Sequence, residues 1–81
     1  MAGVRKLTES ALPKVSALDY DANSNLVYIG KAVIGTAKSI ALWQIKKLLY
    51  DANSNLTDIK FASGSETYEY AWNDRASYSY S

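Results

Sequence analysis

The oxygen-bearing side chains of this sequence come closest to chemistry at Asp19-x-Asp21-x-Asn23-x-Asn25, where a possible hard-cation ligand stands at every second position. That spacing could wrap a calcium ion. Other positions argue against it: Ser24 stands where an EF-hand type loop needs glycine, and Gly30 where it needs a bidentate glutamate. The run Tyr20-Asp-Ala-Asn-Ser-Asn-Leu26 returns unchanged as Tyr50 to Leu56, a period of 30 residues, and the second copy has Leu49 in place of the first aspartate. The repeated piece therefore reads as a polar hairpin turn, with Asn23 and Asn25 as the expected positive-φ positions.

The absence of histidine and cysteine removes Ser-His and Cys-His nucleophile arrangements and the usual zinc sites. Asp58, Glu66, Glu69 and Asp74 are acid or base candidates by type only, since no spacing pairs them. Gly30 and Gly35 are not followed by Gly-Lys-Ser or Gly-Lys-Thr, so no phosphate-cradling loop is present. The expectation is a protein that is not an enzyme and carries no cofactor and no metal.

The elements around the turns carry strand patterns. Val15 to Tyr20 alternates loosely before the first turn, and Leu26-Val27-Tyr28-Ile29 follows it as a β-branched and aromatic run ended by Gly30. Residues 37–49 taken alone suit a helix, because Leu, Lys, Gln and Ala favour one. Equivalence with the first copy argues for a strand from Trp43 to Tyr50, a second turn at 51–55 and a return through Leu56 to Phe61. Residues 30–39 are an expected irregular crossover, and Glu66 to Trp72 suits either a strand or a helical turn. Trp72 to Arg75 reads as a turn, and Ala76-Ser-Tyr-Ser-Tyr80 alternates small and aromatic residues as a final edge strand would.

Residues 1–13 show no alternation and end at the sole proline, Pro13, so they are expected to form an arm, with a single β domain over 14–81. The expected architecture is all-β: a small sandwich or partly open barrel built from two equivalent hairpins plus C-terminal strands. A chain of 81 residues buries only a thin core, and without cysteine no disulfide can compensate. Association with other subunits is the usual remedy. Seven tyrosines and two tryptophans suit strand faces and subunit interfaces. A net charge of +1 makes nucleic acid an unpromising main partner, and the apolar runs are too short to span a bilayer. Synthesis in the cytoplasm as a soluble chain is expected.

The heptapeptide is similar to the tyrosine-aspartate repeats of polymorphic-toxin and teneurin shells, but those run to many copies, so the likeness is one of turn chemistry. A broader resemblance covers Leu18 to Ser81. It rests on Tyr28-Ile-Gly-Lys-Ala32, Gly35-Thr-Ala-Lys-Ser39, Trp43-Gln-Ile-Lys-Lys-Leu48, Phe61-Ala-Ser-Gly64 and Trp72-Asn-Asp-Arg-Ala-Ser77. These segments resemble a family of small uncharacterised virion proteins of tailed bacteriophages. The chain departs from that pattern with Phe61 for tryptophan, Ser63 for aspartate and Asn73-Asp74 in swapped order. The resemblance implies a structural subunit in the head, neck, tail or fibre region, located in the virion and contacting other virion proteins and copies of itself. The interface or structural candidates are Tyr28, Trp43, Phe61, Trp72, Arg75, Tyr78 and Tyr80, with Arg75 expected in an ion pair that fixes the C-terminal turn. A different expectation is a small binding module, for instance for carbohydrate, that uses Tyr28, Trp43, Trp72 and neighbouring Asp or Asn side chains on an open surface.

Overall fold

The computed structural model describes residues 12–81, so the expected arm lies outside the described residues up to position 11. Strand β1 (Lys14–Tyr20) begins directly after Pro13, whose ring removes a backbone donor but leaves a carbonyl. That carbonyl accepts a hydrogen bond from Ile34 N–H at 3.0 Å. β2 (Leu26–Val33), β3 (Gln44–Tyr50) and β4 (Leu56–Phe61) follow, and the strands lie in the order β1-β2-β3-β4 with every neighbouring pair antiparallel. The chain is all-β, with the two expected hairpins joined into one open sheet because β2 pairs directly with β3 from Tyr28↔Lys47 to Lys31↔Gln44. A sandwich would need a second sheet. Its place is taken by the C-terminal segment.

The choice of strand over helix for residues 44–50 is resolved by tertiary pairing: β3 lies between β2 and β4, which outweighs its helical propensity. Gly30 does not end β2, which runs through it to Val33. The expected final strand is also absent in that form. Residues 72–77 make a 3₁₀ helix, and the alternating Ser-Tyr-Ser-Tyr run contributes one isolated bridge, Ala62↔Tyr80. Glu66 to Tyr70 forms neither a strand nor a helical turn but bends at Thr67 and Tyr68, and Tyr70 bridges to Trp43 through a reciprocal pair of backbone hydrogen bonds at 2.8 and 3.0 Å.

Both turns have one construction. Ser24 N–H donates to Asp21 O at 3.1 Å, Asp21 N–H donates to Asn25 O at 2.9 Å, and the 51–55 turn repeats both distances. The Asp21 carboxylate accepts from Asn23 N–H and Asn25 N–H at 2.8 and 3.0 Å, and Asp51 does the same for Asn53 and Asn55 at 2.9 and 3.0 Å. The positive φ falls on Ser24 (66°) and Ser54 (64°), between the two tethered amides, and not on the asparagines. Each hairpin also carries a register shift at the same place, Asp19/Tyr20 and Leu49/Tyr50. The shift leaves Val27 and Thr57 as extra residues and adds local twist.

Strand alternation sends successive side chains to opposite faces. One face carries Val15, Ala17, Tyr28, Ala32 and Ile45, all part of the core or packed against it. The other carries Leu18, Ile29, Leu48 and Ile59, with Leu18 opposite Ile29 and Leu48 opposite Ile59. The first face is covered by residues 70–81. No described strand or helix lies over the second.

Candidate functional site

The covered face is built around a gap in the side-chain layer. Ala17, Gly30 and Ile45 are register neighbours across three strands, and Ala32 lies two residues along β2, so small residues leave room for two large rings. Trp43 and Trp72 fill it, 2% and 5% exposed, with ring centroids 6.2 Å apart. A methyl group at Gly30 would meet Trp72 Cζ3 at 2.8 Å and Trp43 Cε3 at 3.1 Å. The glycine is therefore a contact surface for indoles. Burying two rings of this size contributes on the order of 8 kcal/mol before conformational entropy is counted, at the usual value per unit of apolar area.

A second aromatic group adjoins the first. The Tyr28 and Tyr80 rings lie 5.7 Å apart, and Tyr70 meets Tyr78 edge-on at 5.1 Å. Lys47, opposite Tyr28 in the register, sets its ammonium 5.8 Å from the Tyr28 centroid and 5.9 Å from that of Tyr80. The Arg75 guanidinium stacks over Trp72 at 4.6 Å and approaches Tyr28 at 5.9 Å. Cations over aromatic faces are attracted by the ring quadrupole.

Arg75 ties the layer down. Its Nε donates to Asp19 Oδ2 at 3.0 Å, and its Nη1 donates to Trp72 O at 3.1 Å. The expected ion pair is thus present, and its partner is Asp19 on β1, not the adjacent Asp74. The polar tips of the rings are also engaged within the chain. Tyr80 Oη donates to Arg75 O at 2.7 Å, Tyr78 Oη accepts from Ala71 N–H at 2.9 Å, and Trp43 Nε1 donates to Ala37 O at 3.0 Å. Burial first, then the neighbouring phenols of Tyr28 and Tyr78, push the Tyr80 phenol above its ordinary value of 10, with Arg75 opposing.

Six of the seven residues singled out from the sequence meet here: Tyr28, Trp43, Trp72, Arg75, Tyr78 and Tyr80. Phe61 does not. It pairs with Lys46 on the uncovered face, where the Lys46 ammonium lies 5.8 Å from its ring. Sequence reasoning missed Gly30, Lys47, Asp19 and Tyr70 as members of the cluster. A glycine inside a β-branched run was the available sign of close approach, whereas Asp19 and Arg75 are 56 positions apart and carried no local signal.

The arrangement packs the C-terminal segment onto the sheet and holds it there. Among the described residues every buried side-chain nitrogen or oxygen has a hydrogen-bond partner. The four oxygen ligands considered for calcium do not converge, because Asp19 turns to Arg75 while Asp21 is occupied by its own turn. Among the described residues no group of three or more His, Cys, Asp or Glu side chains is placed to hold a metal. No helix among them is long and apolar enough to cross a membrane. In comparisons with known protein families, curated proteins and solved structures, nothing matches the chain.

Proposed function

We propose that this protein is a non-catalytic structural subunit of a tailed-bacteriophage virion that acts through contacts with neighbouring subunits. The observation that carries the subunit role is the contrast between the two sheet faces. The aromatic face is closed by the chain's own C-terminal segment, while the other leaves Leu18 50% and Ile59 52% exposed, beside Tyr20 at 55% and Leu56 at 48%. Large apolar side chains gathered on one uncovered face mark a contact surface. The phage assignment rests on the sequence resemblance, whose Trp43-x-Ile45-x-Lys47 and Trp72-to-Ser77 motifs contribute the buried indoles and Arg75.

A carbohydrate-binding module would need aromatic faces open to a sugar ring. Trp43 and Trp72 are buried and Tyr28 is packed against Tyr80, so three proposed platforms are already occupied. Mass spectrometry of purified particles of the encoding phage should find the chain at a fixed ratio to the major structural proteins. Its absence from particles, or selective binding on a glycan array, would refute the proposal.

A further inference from the structure

Away from the open sheet face, a second group of apolar side chains stands in solvent: Ile34 at 61%, Ile40 at 48% and Leu42 at 47% exposed, all within the crossover between β2 and β3. Single exposed aliphatics are ordinary, but three on one short loop make a patch. The loop displays them on a fixed backbone. Thr36 N–H donates to Val33 O at 3.1 Å, Ile40 N–H to Ala37 O at 3.1 Å and Leu42 N–H to Ile40 O at 2.8 Å, while Trp43 Nε1 and Asn73 N–H donate to Ala37 O and Lys38 O at 3.0 and 3.1 Å. The patch lies at the end of the sheet opposite the two hairpin turns, because the β2–β3 register closes at Lys31↔Gln44 and leads from there to Val33 on one strand and Leu42 on the other. On the other side of β2, Ile34 N–H donates to Pro13 O, one step past the Lys14↔Val33 pair. Pro13, Ile34 and Leu42 thus stand at the ends of three adjacent strands, and the chain reaches β1 directly beside the patch.

We propose that the segment preceding Leu12 in the same chain closes this patch, as two turns of amphipathic helix laid across the ends of β1, β2 and β3. Val4, Leu7 and Ala11 are spaced i, i+3 and i+7, which sets them on one side of a helix, with Arg5, Lys6 and Glu9 on the other. The occupant is identified by where the segment joins the sheet and how far it reaches. The chain bends at Leu12, so what precedes it leaves the line of β1. A helix ends at or before the residue preceding a proline, which places its last residue at Ala11, beside Ile34. From Val4 to Ala11 such a helix spans about 12 Å. The path from β1 across β2 to β3 is about 10 Å, two strand spacings. Ala11 then lies over Ile34, its small side chain permitting close approach, and Leu7 lies over Leu42. The open sheet face is out of range: Leu18 is six residues along β1 from Leu12, about 20 Å at the rise of a strand, which exceeds the length of the helix. Docking therefore leaves Leu18 and Ile59 free for a neighbouring subunit. A segment this short is not helical in water unaided, so its helicity reports the apolar floor beneath it.

In the full chain the NMR Cα shifts of residues 4–11 should be helical. Ile34→Asp with Leu42→Asp should return them to random-coil values while leaving the segment itself unaltered. Both replaced side chains are largely exposed, and unchanged emission from the buried Trp43 and Trp72 would establish that the sheet and its cover remain folded. Coil shifts in the native chain, or helical shifts that survive I34D/L42D, would overturn the docking. Because the chain has no cysteine, Leu7→Cys with Leu42→Cys can be joined by a short bismaleimide, and the expected product is one chain linked to itself. Leu7→Cys with Ile59→Cys tests the open face and should not link. A product between two L7C/L42C chains would assign the patch to a neighbouring copy, and linkage within an L7C/I59C chain would place the segment on the sheet face. Either result, or an L7C/L42C chain that does not link, overturns the proposal. Should I34D/L42D disturb the tryptophan emission, the linkage result decides alone.

Discussion

Gly30 illustrates how much one missing side chain decides in a chain with a thin core. Two indoles rest on its backbone, so Gly30→Ala forces ring and strand apart, and overpacking of this kind costs about 1–3 kcal/mol. A chemical denaturation curve should show the loss, and unchanged stability would mean that the rings sit elsewhere. Arg75 joins β1 to the C-terminal segment by an ion pair, a carbonyl contact and a stacked ring. The pair is partly solvent-exposed, 27% and 37%, so its charge contributes little, and Arg75→Ala should cost about 1–2 kcal/mol, mostly through the stacked and hydrogen-bonded contacts. A variant that melts at the wild-type temperature would remove Arg75 from this role. At Asp51 the hydrogen bond from Asn55 N–H is the main cause that holds the carboxyl below its ordinary value of 3.8, against a smaller opposing effect of desolvation. A depressed carboxylate stabilises the folded turn above the ordinary value and loses that contribution as pH falls through the lowered one. The Asn55 amide proton followed by NMR should therefore titrate with a midpoint below 3.8, and a midpoint at or above it would contradict the assignment.

The hairpin is the element the sequence expressed best, because turn chemistry is local. Four polar residues and an alanine between strand-like runs mark the turn, and its exact repetition transferred the strand assignment to residues whose own propensity favoured a helix. The placement of positive φ on Ser24 was not legible. It follows from Asp21 tethering the amides on both sides, which leaves the residue between them to make the left-handed step. Ser24→Val places a β-branched residue in that region, and the strain should lower stability by about 1–3 kcal/mol in thermal melts. A neutral result would mean that the turn adopts another form. The C-terminal run was misread for a related reason: its alternation of serine and tyrosine imitates a strand. The rings serve instead to reach other partners, Tyr78 bonding to Ala71 and packing against Tyr70, and Tyr80 bonding to Arg75 and packing against Tyr28. Neither these short-range side-chain bonds nor the distant Tyr28–Tyr80 contact leaves a trace in the alternation of residue types. The contents of the aromatic layer were therefore largely named from the sequence, while its geometry was not.

At the scale of the molecule, the sheet and its C-terminal cover form one cooperative unit. The sheet alone would expose Trp43, Ile45 and the small-residue floor between them, so a chain ending at Ala71 should give the circular dichroism of an unfolded polypeptide. A cooperative melt from that truncated chain would mean the sheet stands alone. The two hairpins also raise a problem that any duplicated fold must solve, which is how the third segment tells them apart during folding. The answer lies in what stands at the position equivalent to Gly30. In the second hairpin it is Lys60, and a lysine stem there would occupy the place where the Trp72 ring must lie. The C-terminal segment thus has a single address on a sheet made of near-copies. Docking of the C-terminal segment on the second hairpin would drive a lysine stem into the space of an indole and is disfavoured from the first contact.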